Sequence, residues 1–251
     1  MFKKTIIQKI RDNKFLGIPR AGDTWSGSDT EEAYLENLKT QSHDWYYRKN
    51  TVRYQYNRDG YRTREFKEID WENSIVLFGC SVVEGIGLDN NDTISSQLEK
   101  LLDIPVINMG TGGSSMLLNL HNMSILRDGY PTPKAVITIW PNYQRIVEYD
   151  KFDYTSYGNW DMPVNSLMDI WFKKNDNAVA NAIFMSKIGR LLWEDKCQYL
   201  EYAWCTDTSK ILKCKETLPK WKDTARDLCH PGIESAKATA NKIAMDIKKC
   251  R

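Results

Sequence analysis

The chain changes character near residue 74. Upstream, apolar and charged positions mix without a sustained period, whereas downstream short continuous apolar runs alternate with amphipathic stretches. Ile75-Val76-Leu77-Phe78 is one such run, β-branched and bounded by Ser74 and Gly79, the pattern of a strand covered on both faces. The loop Gly85-Ile86-Gly87-Leu88-Asp89-Asn90-Asn91-Asp92 follows. A helix then starts with Asp92 or Thr93 as its N-cap and carries Ile94, Leu98, Leu101 and Leu102 on one face. Pro105 to Asn108 reads as a second strand, closed by Gly110, Gly112 and Gly113. A second helix runs from Ser114 toward Arg127, and Ala135-Val136-Ile137-Thr138-Ile139-Trp140 forms a third strand ending at Pro141-Asn142. A helical pattern returns from Ala178 to Trp193, with Ile183, Phe184, Ile188, Leu191 and Leu192 as its apolar positions, and Gln198 to Trp204 predicts a fourth strand. After His230-Pro231-Gly232, Ile233, Ala236, Ala240, Ile243 and Ile247 recur at spacings of three and four, and Lys248 and Lys249 suit the C-terminal dipole of that last helix.

Strands and helices alternating at this spacing predict an α/β fold with a central parallel sheet, right-handed crossovers and helices on both faces, a three-layer α/β/α arrangement. In such a sheet functional loops gather at the carboxyl ends of the strands. Ser81, Gly113 and Asn142 all fall just after such ends. Residues 1–70 read as an N-terminal extension packed on the main domain, with Arg53 to Arg62 predicting a hairpin around Asp59-Gly60. Residues 71–251 form the main domain. Within it the Trp- and Tyr-rich stretch 143–175 lacks a regular period and reads as an insertion over the site or a long loop.

Composition narrows the function classes. With 251 residues, 41% of them apolar and 12% aromatic, the chain has ample material for a core. Its 35 Lys and Arg nearly balance 33 Asp and Glu, and the net charge of +2 argues against nucleic acid or an anionic membrane as a partner. A small or neutral molecule fits better. Lys3 and Lys4 stand where a signal peptide would carry its charges, but Lys9, Arg11 and Asp12 interrupt any apolar segment, which predicts a soluble cytoplasmic or otherwise intracellular protein. The six cysteines form no Cys-x-x-Cys pair and read as free thiols. Cys197, Cys205 and Cys214 do not match zinc-site spacing, so neither a metal nor an organic cofactor is expected.

The chemistry is carried by Asp227-Leu228-Cys229-His230, an acid three residues ahead of a histidine. A base with an orienting carboxylate implies a nucleophile, and Ser81, at the end of the first apolar run, supplies one in the order Ser, Asp, His. A serine hydroxyl attacks poorly at neutral pH until a base accepts its proton. The base in turn needs a carboxylate to hold its tautomer. The tetrahedral intermediate also needs preorganised N–H donors, each worth roughly 2.7 to 4 kcal/mol when removed.

These blocks resemble the SGNH or GDSL-type hydrolases, a family of esterases, lipases and carbohydrate deacetylases with a flavodoxin-like fold. The resemblance runs from about Ser74 to Ile247. The family's Gly-Asp-Ser-x-x-x-Gly is matched by Gly79-Cys80-Ser81-Val82-Val83-Glu84-Gly85, which implies Ser81 as nucleophile. Its Asn-x-Gly-x-x-Gly turn is matched by Asn108 to Gly113, implying an oxyanion donor at the N–H of Gly113, with Gly112 as the alternative. The Gly-x-Asn-Asp block is represented by Trp140-Pro141-Asn142-Tyr143, implying Asn142 as a side-chain donor, and Asp-x-x-His by Asp227 and His230. The oxyanion hole so implied is Ser81, Gly113 and Asn142. Cys80 stands for the family's aspartate, Trp140 for a glycine and Tyr143 for an aspartate. The resemblance implies a serine esterase acting on a small ester or an acylated carbohydrate. The competing reading is a binding or structural protein on a decayed hydrolase scaffold, and a long-chain lipase is disfavoured by the lack of a strongly apolar lid segment.

Each residue also has a plainer reading. Ser81, Gly113 and Asn142 would serve as turn residues, Asp227 as a helix-approach carboxylate and His230 as a cap, while His43 and His121 have no acid at a telling spacing. Cys80 and Cys229 are expected to be buried packing cysteines. Trp140, Trp160, Trp171 and Trp204 could form a stacking platform for a sugar, although core and lid packing is the favoured reading. Asn57 to Arg62 resembles an Asn-x-x-Gly-x-Arg segment that often precedes the first strand in bacterial and phage-encoded members of the family.

Overall fold

The computed structural model describes residues 6–17, 24–149, 154–158 and 175–249. The sheet is built from β1 (Ile75–Gly79), β2 (Val106–Gly110), β3 (Ala135–Trp140) and, after a separate strand pair, β6 (Gln198–Ala203). The order is β2-β1-β3-β6 with every neighbouring pair parallel. Ile75 aligns with Val106 on one side and Ala135 on the other, so β1 is central, and all of its residues are buried.

The two-residue period of the strands divides the interior into two cores. Ile75 and Leu77 point to one face, where they meet Ile94 and Leu98 of α4 (Ile94–Leu102) and Ala236, Ala240, Ile243 and Ile247 of the last helix, Ile233–Lys249. Val76 and Phe78 point to the other, against Met116, Met123 and Leu126 of α5 (Met116–Gly129) and Ala182 and Trp193 of α6 (Asn175–Trp193). The layers are therefore α/β/α. Burying each large aliphatic side chain here contributes roughly 1.5–3 kcal/mol. Helix starts follow the capping chemistry: Thr93 accepts from the Ser96 N–H and Ser115 from the Leu118 N–H, both at 3.3 Å. No helix among the described residues is long and apolar enough to cross a membrane.

Several expectations need correction. On α4, Leu101 is 41% exposed, and only Ile94, Leu98 and the half-buried Leu102 face the core. On α6 three of the predicted apolar positions point outward, Phe184 being 60%, Ile188 45% and Leu191 80% exposed, while Leu192 packs half-buried against the second core. The helix instead packs through Ala178, Ala182, Ser186, Gly189 and Trp193. Close approach is the reason, since a methyl at Gly189 would stand 3.2 Å from the Tyr199 hydroxyl and 3.3 Å from Met123 and Trp140. The segment around Asp59-Gly60 is a turn without paired strands. Asn57 Oδ1 accepts from the Asp59 and Tyr61 N–H groups at 3.1 and 3.0 Å, which holds the turn without a ladder. The aromatic-rich stretch opens with an antiparallel strand pair, β4 (Ile146–Tyr149) and β5 (Tyr154–Tyr157). Residues 159–174, with Trp160 and Trp171, lie outside the described residues.

Residues from the N-terminal seventy join both the main core and a cluster of their own. Phe15 and Tyr61 pack with Trp71 and Phe78, and Tyr47, Val52 and Tyr54 surround Ile86.

Candidate active site

Strand β1 delivers Ser81 onto a sharp turn into the one-turn helix α3 (Ser81–Glu84), whose four residues are all buried. Ser81 lies 2.8 Å from His230 Nε2, and His230 Nδ1 lies 2.6 Å from Asp227 Oδ2. An Nδ1–H directed at the carboxylate leaves Nε2 to accept from the serine hydroxyl, the tautomer that base catalysis needs. The Asp227 side chain is fully enclosed while His230 keeps 16% exposure. Asp227 Oδ1 accepts from the N–H groups of Cys229 and His230, both at 3.1 Å, across a turn in which Leu228 adopts φ +56°. Burial alone would raise the Asp227 pKa. The hydrogen bond and charge of His230, with Ser28 and the Cys229 N–H, outweigh burial and hold the carboxyl below its ordinary value.

The oxyanion candidates stand at the same sheet edge. Gly113 has φ +72°, and its N–H makes no hydrogen bond among the described residues. The N–H of Gly112, the alternative, donates to the Glu84 carboxylate. Asn142 is half-buried and spends its side-chain oxygen on the Gln144 N–H at 2.8 Å, so its turn role is real and only the Nδ2 end of the amide is left for other work.

Several residues at the site carry no signal in hydrophobic periodicity. Ser28 donates to Asp227 Oδ2 at 2.6 Å, and its neighbour Asp29 pairs with Arg226 at 2.8 Å, both partners being almost wholly enclosed. Arg226 also lies 4.0 Å over the Trp25 ring, and Tyr54 donates to Asp29 at 2.5 Å. Arg62 is buried and donates to the carbonyls of Glu84, Gly85, Leu88 and Arg53, which ties down the loop behind the nucleophile. Gly87 joins the Ser81 loop to the Asp227–His230 loop: its carbonyl accepts from the Arg226 N–H at 3.1 Å. At φ +76°, an added Cβ at this glycine would come within 2.7 Å of Ala225 and 3.2 Å of Asp227 Oδ1. The hints in the sequence are the Asn57–Arg62 segment and Glu84, a charge on an otherwise apolar turn three residues after Ser81.

Other candidates resolve simply. Trp140 is a core residue whose Nε1 donates to Glu201 at 2.6 Å. Trp204 stacks with Trp221 at 6.2 Å, and both line a cleft of about 530 Å³ with Val82, Leu218, Pro219 and Pro231. In the chain Val82 follows Ser81 and Pro231 follows His230. Cys80 is buried as expected, whereas Cys229 is exposed, and the partial desolvation of its thiol together with the Asp227 charge pushes it up. His121 meets the Lys14 carbonyl at 3.3 Å and His43 is exposed. Among the described residues no group of three or more His, Cys, Asp or Glu could hold a metal ion.

No protein-family model matches the chain, and no curated protein matches it in sequence. Solved structures do. The acetyl xylan esterase Est2A from the rumen bacterium Butyrivibrio proteoclasticus shares 13% identity over 72% of this chain and 64% of its own, with a TM-score of 0.46. A carbohydrate esterase family 2 enzyme with a carbohydrate-binding domain from Corynascus thermopiles (Myceliophthora fergusii) shares 13% over 70% and 66%, with a TM-score of 0.43. AlinE4, an SGNH-hydrolase family esterase, shares 16% over 71% and 98%, with a TM-score of 0.36. The chain thus spans less than two thirds of the length of the first two.

Proposed function

We propose that the chain is a serine esterase of the SGNH type that removes a small acyl group, with acetyl on a carbohydrate as the favoured substrate. The observation that carries this reading is the continuous relay from Ser81 Oγ through His230 to a buried Asp227. Ser81 attacks the acyl carbonyl as His230 Nε2 takes its proton, and Asp227 stabilises the imidazolium that forms. The tetrahedral oxyanion is met by the N–H groups of Ser81 and Gly113 and by Asn142 Nδ2. Collapse expels the alcohol with the proton from His230, leaving an acyl-Ser81 ester. Water, deprotonated by the same histidine, then releases the acid and restores the serine. The cleft walled by Trp204 and Trp221 takes the leaving alcohol, since flat aromatic faces suit the apolar faces of sugar rings.

Hydrolysis of p-nitrophenyl acetate by the wild type beside Ser81→Ala and His230→Ala tests this reading. Each substitution is expected to lower kcat on the order of 10⁴- to 10⁶-fold. Equal rates in all three proteins, with no organophosphate adduct on Ser81, would overturn it in favour of a binding or structural role.

A further inference from the structure

Glu84 is 1% exposed yet plays no part in the proton relay. It sits on α3, three residues after the nucleophile, and its two oxygens have different tasks. Oε1 accepts from the Tyr56 hydroxyl at 2.6 Å, and Oε2 accepts from the Gly112 N–H. Tyr56 in turn meets the Ser26 hydroxyl at 2.9 Å. Arg62, which donates to the Glu84 carbonyl, sets a positive charge beside this acid. A chain of polar contacts therefore runs from the N-terminal segment, through the helix that carries Ser81, to the glycine immediately before Gly113.

Tandem glycines offer two adjacent N–H groups with little side-chain restraint on which one faces the reacting carbon. Fixing one of them elsewhere selects the other. We propose that Glu84 is a positioning residue for the oxyanion hole: by binding the Gly112 N–H it sets the peptide that follows and aims the Gly113 N–H at the reacting carbonyl. This rests on the esterase reading of Ser81. A buried anion close to a developing oxyanion would by itself oppose catalysis. The Tyr56 hydroxyl, the Gly112 N–H and the neighbouring Arg62 absorb its charge, so the geometric contribution dominates.

The test compares Glu84→Ala, Glu84→Gln and wild type in kcat and KM for p-nitrophenyl acetate, and in amide hydrogen exchange at Gly112 and Gly113 by NMR. Glutamine keeps an oxygen for the Gly112 N–H, and the Tyr56 hydroxyl can accept from its amide. Glu84→Ala is expected to lose about 100-fold in kcat with KM little changed, as for a displaced oxyanion donor, whereas Glu84→Gln stays within about fivefold. Gly112 exchange should accelerate in the alanine variant and not in the glutamine one. The proposal is overturned if folded Glu84→Ala keeps its kcat, if glutamine is as damaging as alanine, or if Gly112 exchange is unaltered. Should the alanine variant not fold, Glu84→Asp, too short to reach both partners, carries the same test, and wild-type kcat and exchange in it would refute the proposal. A wild type inert toward esters would remove the esterase reading, while Gly112 exchange would still decide whether Glu84 holds the loop.

Discussion

The two loops that meet at the triad are secured in different ways. The nucleophile loop is held by packing: α3 is buried along its length, β1 behind it is paired on both sides, and Arg62 gathers the carbonyls that follow. Among the described residues no strand leads into the Asp227–His230 loop. A left-handed Leu228, an isolated bridge between Thr224 and Pro231, and side chains from residues 24–29 hold it in place. Ser81 is thus placed by the interior of the sheet and His230 by a latch from sequence about 200 residues away. Substitutions around the first should change folding and chemistry together, while those around the second can separate them.

The strongest way to probe that contrast is Asp227→Asn. It should lower kcat by about 10⁴-fold, because an amide cannot hold the productive tautomer. Its stability relative to wild type should also depend on pH. The Asp227 pKa is depressed in the folded chain, so its ionisation stabilises the protein fully above the ordinary carboxylate range. That contribution fades as pH falls through the depressed value. Urea unfolding across this window should show the gap between the two proteins closing on the acid side, and a constant gap would contradict the assignment.

Asp29→Ala comes next. It leaves the enclosed Arg226 without its counter-charge, at a cost of about 3–5 kcal/mol, and Asp29→Asn should cost less because it keeps an acceptor. Urea midpoints measure both, and unchanged midpoints would show that the latch does not hold this loop. Ser28→Ala is the smallest change. Ser28 is exposed, so losing its bond to Asp227 should lower kcat only about threefold without a measurable loss of stability. A larger drop would place Ser28 among the groups on which the acid depends.

Elements whose burial follows their period were legible in the sequence. Strands β1 and β3 and the final helix stand where the apolar runs predict them, and Ser81, Asp227 and His230 converge as their order suggests. The outward face of α6 was not legible, because close helix packing there selects Ala182 and Gly189 over Phe184 and Leu191. Nor were Ser28, Asp29 and Tyr56, since a polar contact across a long sequence separation leaves no trace in periodicity. Asn57 and Arg62 were noticed as a segment, but their work is visible only in three dimensions, where one closes a turn and the other gathers carbonyls.

Gly87 gives the molecule a division of labour. Its bare backbone is the shim between the nucleophile loop and the acid loop, and any side chain there would press on Ala225 and Asp227. The approach of these two loops is therefore fixed at Gly87. The Trp204–Trp221 cleft is lined largely by the segment that follows β6, together with Val82, Pro231 and Thr239. None of Ser81, Asp227 and His230 lines it, so under the proposed esterase reading its residues can be exchanged to admit a different alcohol while the triad keeps its spacing.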